Sequence, residues 1–315
     1  MKDVAIIGGG AAGLSAALYA ARGGLSVQVF DEMGGGGQLT EIAEIENYLG
    51  VGRISGAALA AECLKEAKAA GAEMLSRKVV RVERRALSFS LITTDGRGEP
   101  IAFEARTVIL SNGARPRRLS VRGEREFLGH GVSYCAVCDG RFFGGKTVTV
   151  IGGGNGAFAE ALYLSRIAAA VHIVHRSGQF RGERALHERL LALPNVIFHP
   201  DRQVRAISGD KCVEAVELRT REGISETLRT DGVFIAIGRE PENAPFLPLF
   251  PQDGQGYVIT DETCACATQG LFAAGDTRSK SLRQLSTAVA DGANAAEGAR
   301  RYLAERAFVP TGSRG

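Results

Sequence analysis

Several things are missing from this sequence, and each absence removes a class of function. No apolar run approaches the ~20 residues that cross a membrane, so no membrane partner is expected. Met1-Lys2-Asp3 passes directly into a strand-like stretch at 4–7 without the longer apolar segment of a signal peptide, and the expectation is a cytoplasmic protein. Six cysteines in 315 residues are too few for a secreted disulfide framework. Neither sign of charge dominates, since 38 basic residues face 35 acidic ones; there is no basic excess for bulk nucleic-acid binding. The length suits two domains, each large enough to bury a core of its own. Glycine alone is in excess, at 41 of 315 residues or about 13% against a usual ~7%. Its clusters mark places where backbone turns tightly or approaches a ligand.

Two of those clusters open an internal repeat. Residues 4–32 (VAIIGGGAAGLSAALYAARGGLSVQVFDE) align without a gap, at a constant offset of 144, with residues 148–176 (VTVIGGGNGAFAEALYLSRIAAAVHIVHR). Each copy runs from a short apolar strand through Gly-x-Gly into a stretch of helical periodicity (Leu14, Ala17, Leu18, Ala21) and on to a second strand. A βαβ unit is the context that makes such glycines a dinucleotide fingerprint. Gly8 and Gly152 allow the sharp turn, Gly10 and Gly154 let backbone approach a pyrophosphate, and Gly13 permits close helix packing, with Ala157 as its counterpart. The phosphates would rest on the helix N-terminus. A glycine-rich turn of another α/β fold is the plainer alternative, and duplication in matched context weighs against it. The second strands end differently. Asp31-Glu32 offers carboxylates to ribose hydroxyls, whereas His175-Arg176 and the following Arg181 offer donors suited to a 2′-phosphate. Each charge alone reads as a solvated strand end; together they predict FAD in the first copy and NADPH in the second.

Residues 75–91 and 100–110 alternate like antiparallel strands, and Ser111-Asn112-Gly113-Ala114-Arg115-Pro116 carries the turn residues of a chain crossing. A second crossing is expected near Ile237-Gly238-Arg239-Glu240-Pro241, after a strand at 232–237. Residues 270–276 and a helical stretch from about 282 to 303 then complete the first domain. The predicted fold is α/β with two Rossmann-like dinucleotide-binding domains, the second inserted in the first, as three-layer ββα sandwiches. Residues 1–114 and 244–315 form the FAD-binding domain; residues 115–243 form the NADPH-binding domain, which also carries a cysteine pair.

That pair is Cys135-Ala136-Val137-Cys138, followed by Asp139-Gly140. A C-x-x-C spacing at a helix start favours an easily exchanged disulfide and a lowered thiol pKa. Zinc would require a second ligand pair, for which Cys264-x-Cys266 is the only candidate, and an inert buried pair is the remaining alternative; no metal is expected. Asp139 is placed to exchange a proton with the neighbouring thiol, or else to cap a helix.

With these motifs in view, the chain resembles the bacterial low-molecular-weight thioredoxin reductases over nearly its whole length. The matching stretches are GGGAAGLSAALYAAR, GGQLTEIAEIENYLG, CAVCDG, IGGGNGAFAEALYLSR and GLFAAGDTRSKSLRQLSTAVADG. The resemblance implies FAD bound by Gly8, Gly10, Ala11, Gly13, Asp31, Glu32, Gly36, Gly37, Gln38, Leu39, Asn47, Gly113, Gly275, Asp276, Arg283, Gln284 and Leu285. It implies NADPH bound by Gly152, Gly154, Asn155, Ala157, Glu160, His175, Arg176, Arg181 and Gly238. It further implies that Cys138 faces the flavin, that Cys135 attacks the disulfide of a thioredoxin or thioredoxin-like protein, and that the enzyme is a homodimer. No cysteine lies between Met1 and Glu62, so the dithiol is not in the FAD domain as it is in the glutathione-reductase type. One flavin face cannot receive nicotinamide and disulfide from one rigid domain at once, and rotation of the inserted domain is expected.

The chain departs from the family pattern at four places. Ser177 replaces a second arginine, which weakens the expectation of strict NADPH preference. Ser111-Asn112 replaces Ala-Thr, His130 replaces a common arginine, and Cys264 and Cys266 are additional. Cys63 and Cys212 read as structural, and Phe142-Phe143 as either a docking patch or buried core. The competing functions are a ferredoxin-linked thioredoxin reductase, an oxygen-using dithiol oxidase and a non-catalytic dinucleotide sensor. The intact dithiol argues against the last.

Overall fold

Short β-branched stretches bounded by glycine favour buried strands over helices. In the computed structural model, which describes residues 1–307 apart from Ala43, Gly96, Arg97 and Pro248, they form the centres of two parallel sheets. The chain divides into two units, Met1–Arg115 with the chain from Glu240 onward, and Pro116–Arg239.

In the first unit the parallel strands are ordered Glu73–Leu75, Val27–Phe30, Lys2–Ile7, Pro100–Leu110 and Leu271–Ala273. The eleven-residue strand Pro100–Leu110 serves two layers. Its second half pairs with the first strand, from Lys2↔Ala105 to Ile7↔Leu110. Its first half pairs antiparallel with Phe89–Thr94, which continues to Lys78–Arg84. The stretch read as one alternating segment at 75–91 is thus broken by a turn, closed by Arg85 N–H donating to Ser88 O at 2.8 Å. The strands' period of two sends Val4 and Ile6 toward helices Ala11–Arg22, Gly56–Ala69 and Leu285–Ala307, and Ala5 and Ile7 toward the antiparallel layer with Leu91, Phe250 and Val258. The last helix begins three residues later than its periodicity suggests. Thr287 Oγ1 accepts from Gln284 N–H (3.2 Å) and donates to Leu282 O (3.1 Å), holding residues 282–284 in a turn.

The second unit repeats the plan. Its parallel strands are ordered Val196–His199, Ala170–Val174, Thr147–Ile151, Gly232–Ile235 and Val132–Ser133. Helices Asn155–Leu164 and Arg184–Leu191 cover Val148, Val150 and Phe234 on one face. The antiparallel strands Arg202–Gly209, Val213–Thr220 and Ser225–Arg229 cover Ile151, Val174 and Val233 on the other. Each buried Phe or Ile contributes roughly 1.5–3 kcal/mol, so both units own a full core. Between the units the chain crosses twice, at Ala114–Pro116 and Arg239–Pro241, and the two crossing strands pair with each other.

Candidate active site

Cys135 and Cys138 are joined as a disulfide with Cα atoms 5.3 Å apart. Cys135 occupies the N-cap of the one-turn helix Ala136–Asp139, and its Sγ accepts the Cys138 N–H at 3.2 Å. Free N–H groups at such a start favour a thiolate once the disulfide is reduced. Ser133 links the pair to the neighbouring acid: Cys135 N–H donates to Ser133 Oγ (3.0 Å), and the Ser133 hydroxyl donates to Asp139 Oδ2 (2.5 Å). Burial raises the pKa of the Asp139 carboxyl from its usual value, against the opposing pull of Ser133. Asp139 makes no side-chain helix cap. A carboxyl of raised pKa beside Cys138 is suited to proton exchange with a thiol. The adjacent phenylalanines divide. Phe143 is core, edge-on to Phe234, whereas Phe142 is 46% exposed with Arg141 over its ring.

In the first unit the glycine turn meets a second glycine loop. Gly36 N–H donates to Gly9 O (2.8 Å), and a Cβ on Gly37 would stand 2.9 Å from Gly10 Cα. Gly8 lies at φ +100°, and a Cβ there would stand 2.5 Å from Ser111 O; a Cβ on Gly13 would stand 1.9 Å from Gly8 O. Gly10 differs from both. Its φ of −74° suits any residue, and the nearest atom to a Cβ is 4.0 Å away. Gly154 repeats the case, with φ −107° and nothing within 4 Å. Neither conformation nor packing asks for glycine at these two positions, whereas the close approach of a pyrophosphate does. The turns therefore fit dinucleotides.

Around the first turn, Ala11, Leu39 and Leu285 share one apolar cluster. Asn47 Nδ2 donates to Gln284 Oε1 (3.1 Å), and Gln38 Nε2, beside Gly113, donates to Ala114 O (3.1 Å). Arg283 lies 4.0 Å over the Tyr257 ring. Gly275 is at φ +80° against Ala12, and Asp276 lies 3.6 Å from Lys280. The two strand-end acids are differently occupied. Asp31 accepts from Gly9 N–H (2.7 Å) through Oδ2 and from Met33 and Gly35 N–H (2.9 and 3.1 Å) through Oδ1, closing the glycine loop onto the turn. Glu32 is exposed and pairs with Lys78.

The second turn carries Gly152, whose Cβ would meet Ala236 O at 2.3 Å and Ala157 at 2.8 Å. Asn155 and Glu183 exchange hydrogen bonds (2.9 and 2.6 Å), and Arg181 N–H donates to Gly153 O (2.6 Å), so the 177–183 loop returns to the turn. Arg176 and Arg181 are exposed and have no ion-pair partner among the described residues. His175 departs from the sequence reading of a cationic donor. Its ring lies against Gly153, its Nε2 is buried without a partner, and burial, Arg181 and Arg176 push its pKa below the usual value. It is held neutral. Glu160, farther along the same helix, accepts from Ala136 N–H of the dithiol helix and lies in the field of Arg239. Gly238, at φ +106°, accepts Arg117 N–H at the crossing.

The model of the pyridine nucleotide-disulphide oxidoreductases matches residues 2–292. The chain belongs to this family. It is 42% identical over 303 residues to the thioredoxin reductase of Treponema pallidum, covering 96% of this chain and 97% of that one. To the thioredoxin reductase of Listeria innocua it is 41% identical over 305 residues, covering 96% and 94%. Its structure is similar to the thioredoxin reductases of Streptococcus pyogenes (TM-score 0.90, 39% identity, 97% and 99% covered) and Giardia duodenalis (0.90, 33%, 96% and 99%).

Some organising residues carry no motif. Asp291, within the last helix, accepts from Gly275 N–H (3.1 Å), Arg278 Nη1 (2.8 Å) and Lys280 Nζ (2.9 Å), all in a buried setting. It anchors the loop that carries Asp276. The additional cysteines belong to this surrounding core: Cys264 and Cys266 are free and buried, with burial pushing both thiols up to about 12. Cys63 is half-buried, but Cys212 is exposed, so a packing role fails for Cys212. Among the described residues no helix is long and apolar enough to cross a membrane, and no group of three or more His, Cys, Asp or Glu is placed to hold a metal.

Proposed function

We propose that the protein is an NADPH-dependent thioredoxin-disulfide reductase, with FAD held by the first unit and the nicotinamide nucleotide by the second. The observation that carries this reading is the Cys135–Cys138 disulfide on a helix N-cap, joined through Ser133 to Asp139, in the same unit as the second dinucleotide turn. When bound, the nucleotide and the flavin supply an electron pair to the disulfide. Gly10 and Gly154 admit the pyrophosphates, and Arg176 and Arg181 face the second ribose. In the reduced pair Asp139 holds or returns the proton of Cys138, and the helix N–H groups stabilise thiolate at Cys135. Cys135 Sγ attacks a sulfur of the partner disulfide, releasing one partner thiolate and forming a mixed disulfide. Cys138 Sγ then attacks Cys135 Sγ; the 135–138 bond re-forms and the second partner thiol leaves, so two electrons have passed to thioredoxin. Exposed Val137 and Phe142 offer an apolar contact beside the pair. The dithiol and the second turn share a unit while the flavin turn belongs to the other, so the inserted unit turns about its two crossing strands in each cycle. Within this reading the enzyme is a cytoplasmic homodimer.

Anaerobic addition of NADPH to the FAD-loaded protein should bleach the oxidised-flavin band, and thioredoxin disulfide should then be reduced. Cys135→Ser should keep the bleaching and lose the reduction, and a crosslink locking the units should stop turnover. If dithionite bleaches the flavin and neither NADPH nor NADH does, electrons enter elsewhere, as in a ferredoxin-linked or oxygen-using enzyme.

A further inference from the structure

The loop after His175 is packed against a charge that the strand-end motif does not reveal. Asp201 follows the neighbouring strand Val196–His199 and reaches back to that loop. A Cβ on Gly178 would stand 2.7 Å from Asp201 Oδ2, so the carboxylate packs directly on the residue after Ser177. Its charge is felt at His175. Among the described residues Asp201 has no ion-pair partner; Arg202, next in the chain, feels its charge but is tied to Glu226 at 2.7 Å. Ser177 spends its hydroxyl on the loop, accepting Gln179 N–H at 3.2 Å. His175 is neutral and turned onto the glycine turn, as described above. The cationic side of this strand end therefore reduces to Arg176 and Arg181, opposed by two carboxylates: Glu183, which is engaged by Asn155, and Asp201, which has no ion pair among the described residues.

We propose that Asp201 is a specificity-determining residue of the second nucleotide site, offsetting the pull of Arg176 and Arg181 on a 2′-phosphate so that the site accepts NADH alongside NADPH. This rests on the second turn being the nicotinamide-nucleotide site. A hydroxyl pair on an unphosphorylated ribose brings no net charge into the field of the Asp201 carboxylate and is not repelled by it, whereas a 2′-phosphate carries nearly two negative charges into that field. The acid thus lowers the affinity of one nucleotide class and leaves the other unchanged, which is specificity by repulsion.

Binding of 2′,5′-ADP and of 5′-AMP to the FAD-loaded protein, measured by calorimetry at low and high salt, reads this without turnover. Asp201 lies at φ +52°, a conformation asparagine tolerates well, so Asp201→Asn keeps the backbone. The wild type should prefer 2′,5′-ADP over 5′-AMP by less than about tenfold. Asp201→Asn should tighten 2′,5′-ADP by about 3- to 10-fold, leave 5′-AMP within about twofold, and lose most of that gain at high salt. Ser177→Arg, adding a charge-assisted donor to the same loop, should tighten 2′,5′-ADP by about tenfold or more. If Ser177→Arg tightens 2′,5′-ADP and Asp201→Asn does not, the role of Asp201 is overturned while the site stands. If neither ligand binds and neither variant changes this, the site assignment falls and the inference with it.

Discussion

Replacing Glu160 by glutamine should change how stability depends on pH. The Glu160 carboxyl accepts a hydrogen bond from Ala136 N–H, and its Oε2 is buried without a partner. Burial pushes its pKa from 4.5 up to about 8, with Arg239 and the Ala136 N–H pulling the other way. Above about pH 4.5 the unfolded chain releases this proton while the folded protein keeps it. Stability is therefore greatest below the unfolded value and falls as pH rises toward the folded one, by about 1.4 kcal/mol per pH unit. Between about pH 5.5 and 8 the loss amounts to roughly 3 kcal/mol, and above that it levels off. In Glu160→Gln the amide oxygen still accepts the Ala136 N–H but nothing titrates. A pH-independent cost of about 1–3 kcal/mol for the buried amide is expected and does not affect the slope. Urea unfolding of FAD-saturated wild type and variant at about pH 5.5, 7 and 8.5 should show the wild type losing about 3 kcal/mol more than the variant across that range. Parallel profiles would refute the account, and would mean that the carboxylate is solvated or fully paired when ionised.

The glycines offer a sharper division of labour. Gly10→Ala and Gly154→Ala should leave the stability of the nucleotide-free protein within about 0.5 kcal/mol and weaken binding of FAD and NADPH respectively by about tenfold or more. Gly13→Ala, whose Cβ would stand 1.9 Å from Gly8 O, should instead destabilise the fold by about 1–3 kcal/mol, read from urea midpoints. Asp291→Asn removes the counter-charge of Arg278 and the nearer of the two carboxylates on Lys280, whose side chains are 13% and 9% exposed. It should cost about 3–5 kcal/mol and release FAD more readily; an unchanged flavin content after gel filtration would count against Asp291 as the anchor of the Asp276 loop.

What could be read from the sequence was whatever is fixed by residue type at short range. The gapless offset between residues 4–32 and 148–176 carries the two βαβ units, because strand, turn and helix each leave a local pattern. The crossings at 111–116 and 237–241 were legible because glycine and proline punctuate the chain. The adjacent Phe142 and Phe143 could not be divided by pattern, since a single helical turn has too few residues to show a face. Asp291, Arg278 and Lys280 converge only because the last helix starts at Leu285 and runs beside the 275–280 loop, a fact of tertiary structure. Glu160 enters the sequence reading only as a nucleotide contact implied by the family resemblance, and nothing in its helix pattern shows that its carboxyl is buried near the Ala136 N–H and Arg239.

Protonation is the level at which sequence reading fails most clearly, and the two nucleotide turns illustrate why. Asp31 and His175 occupy equivalent strand-end columns, and their residue types suggest opposite charges offered to a ribose. In the fold, both oxygens of Asp31 already accept backbone N–H groups, Oδ2 from the glycine turn and Oδ1 from the glycine loop. His175 lies on Gly153 with a buried, unpartnered nitrogen and a depressed pKa. Each thus first serves the geometry of its own turn. The charge that reaches a nucleotide then depends on residues farther away: Arg176 and Arg181 in the loop, and Asp201 in the turn after the next strand. A motif states which groups are near a ligand; burial and neighbouring charges decide which of them are ionised, and so which nucleotide the site prefers.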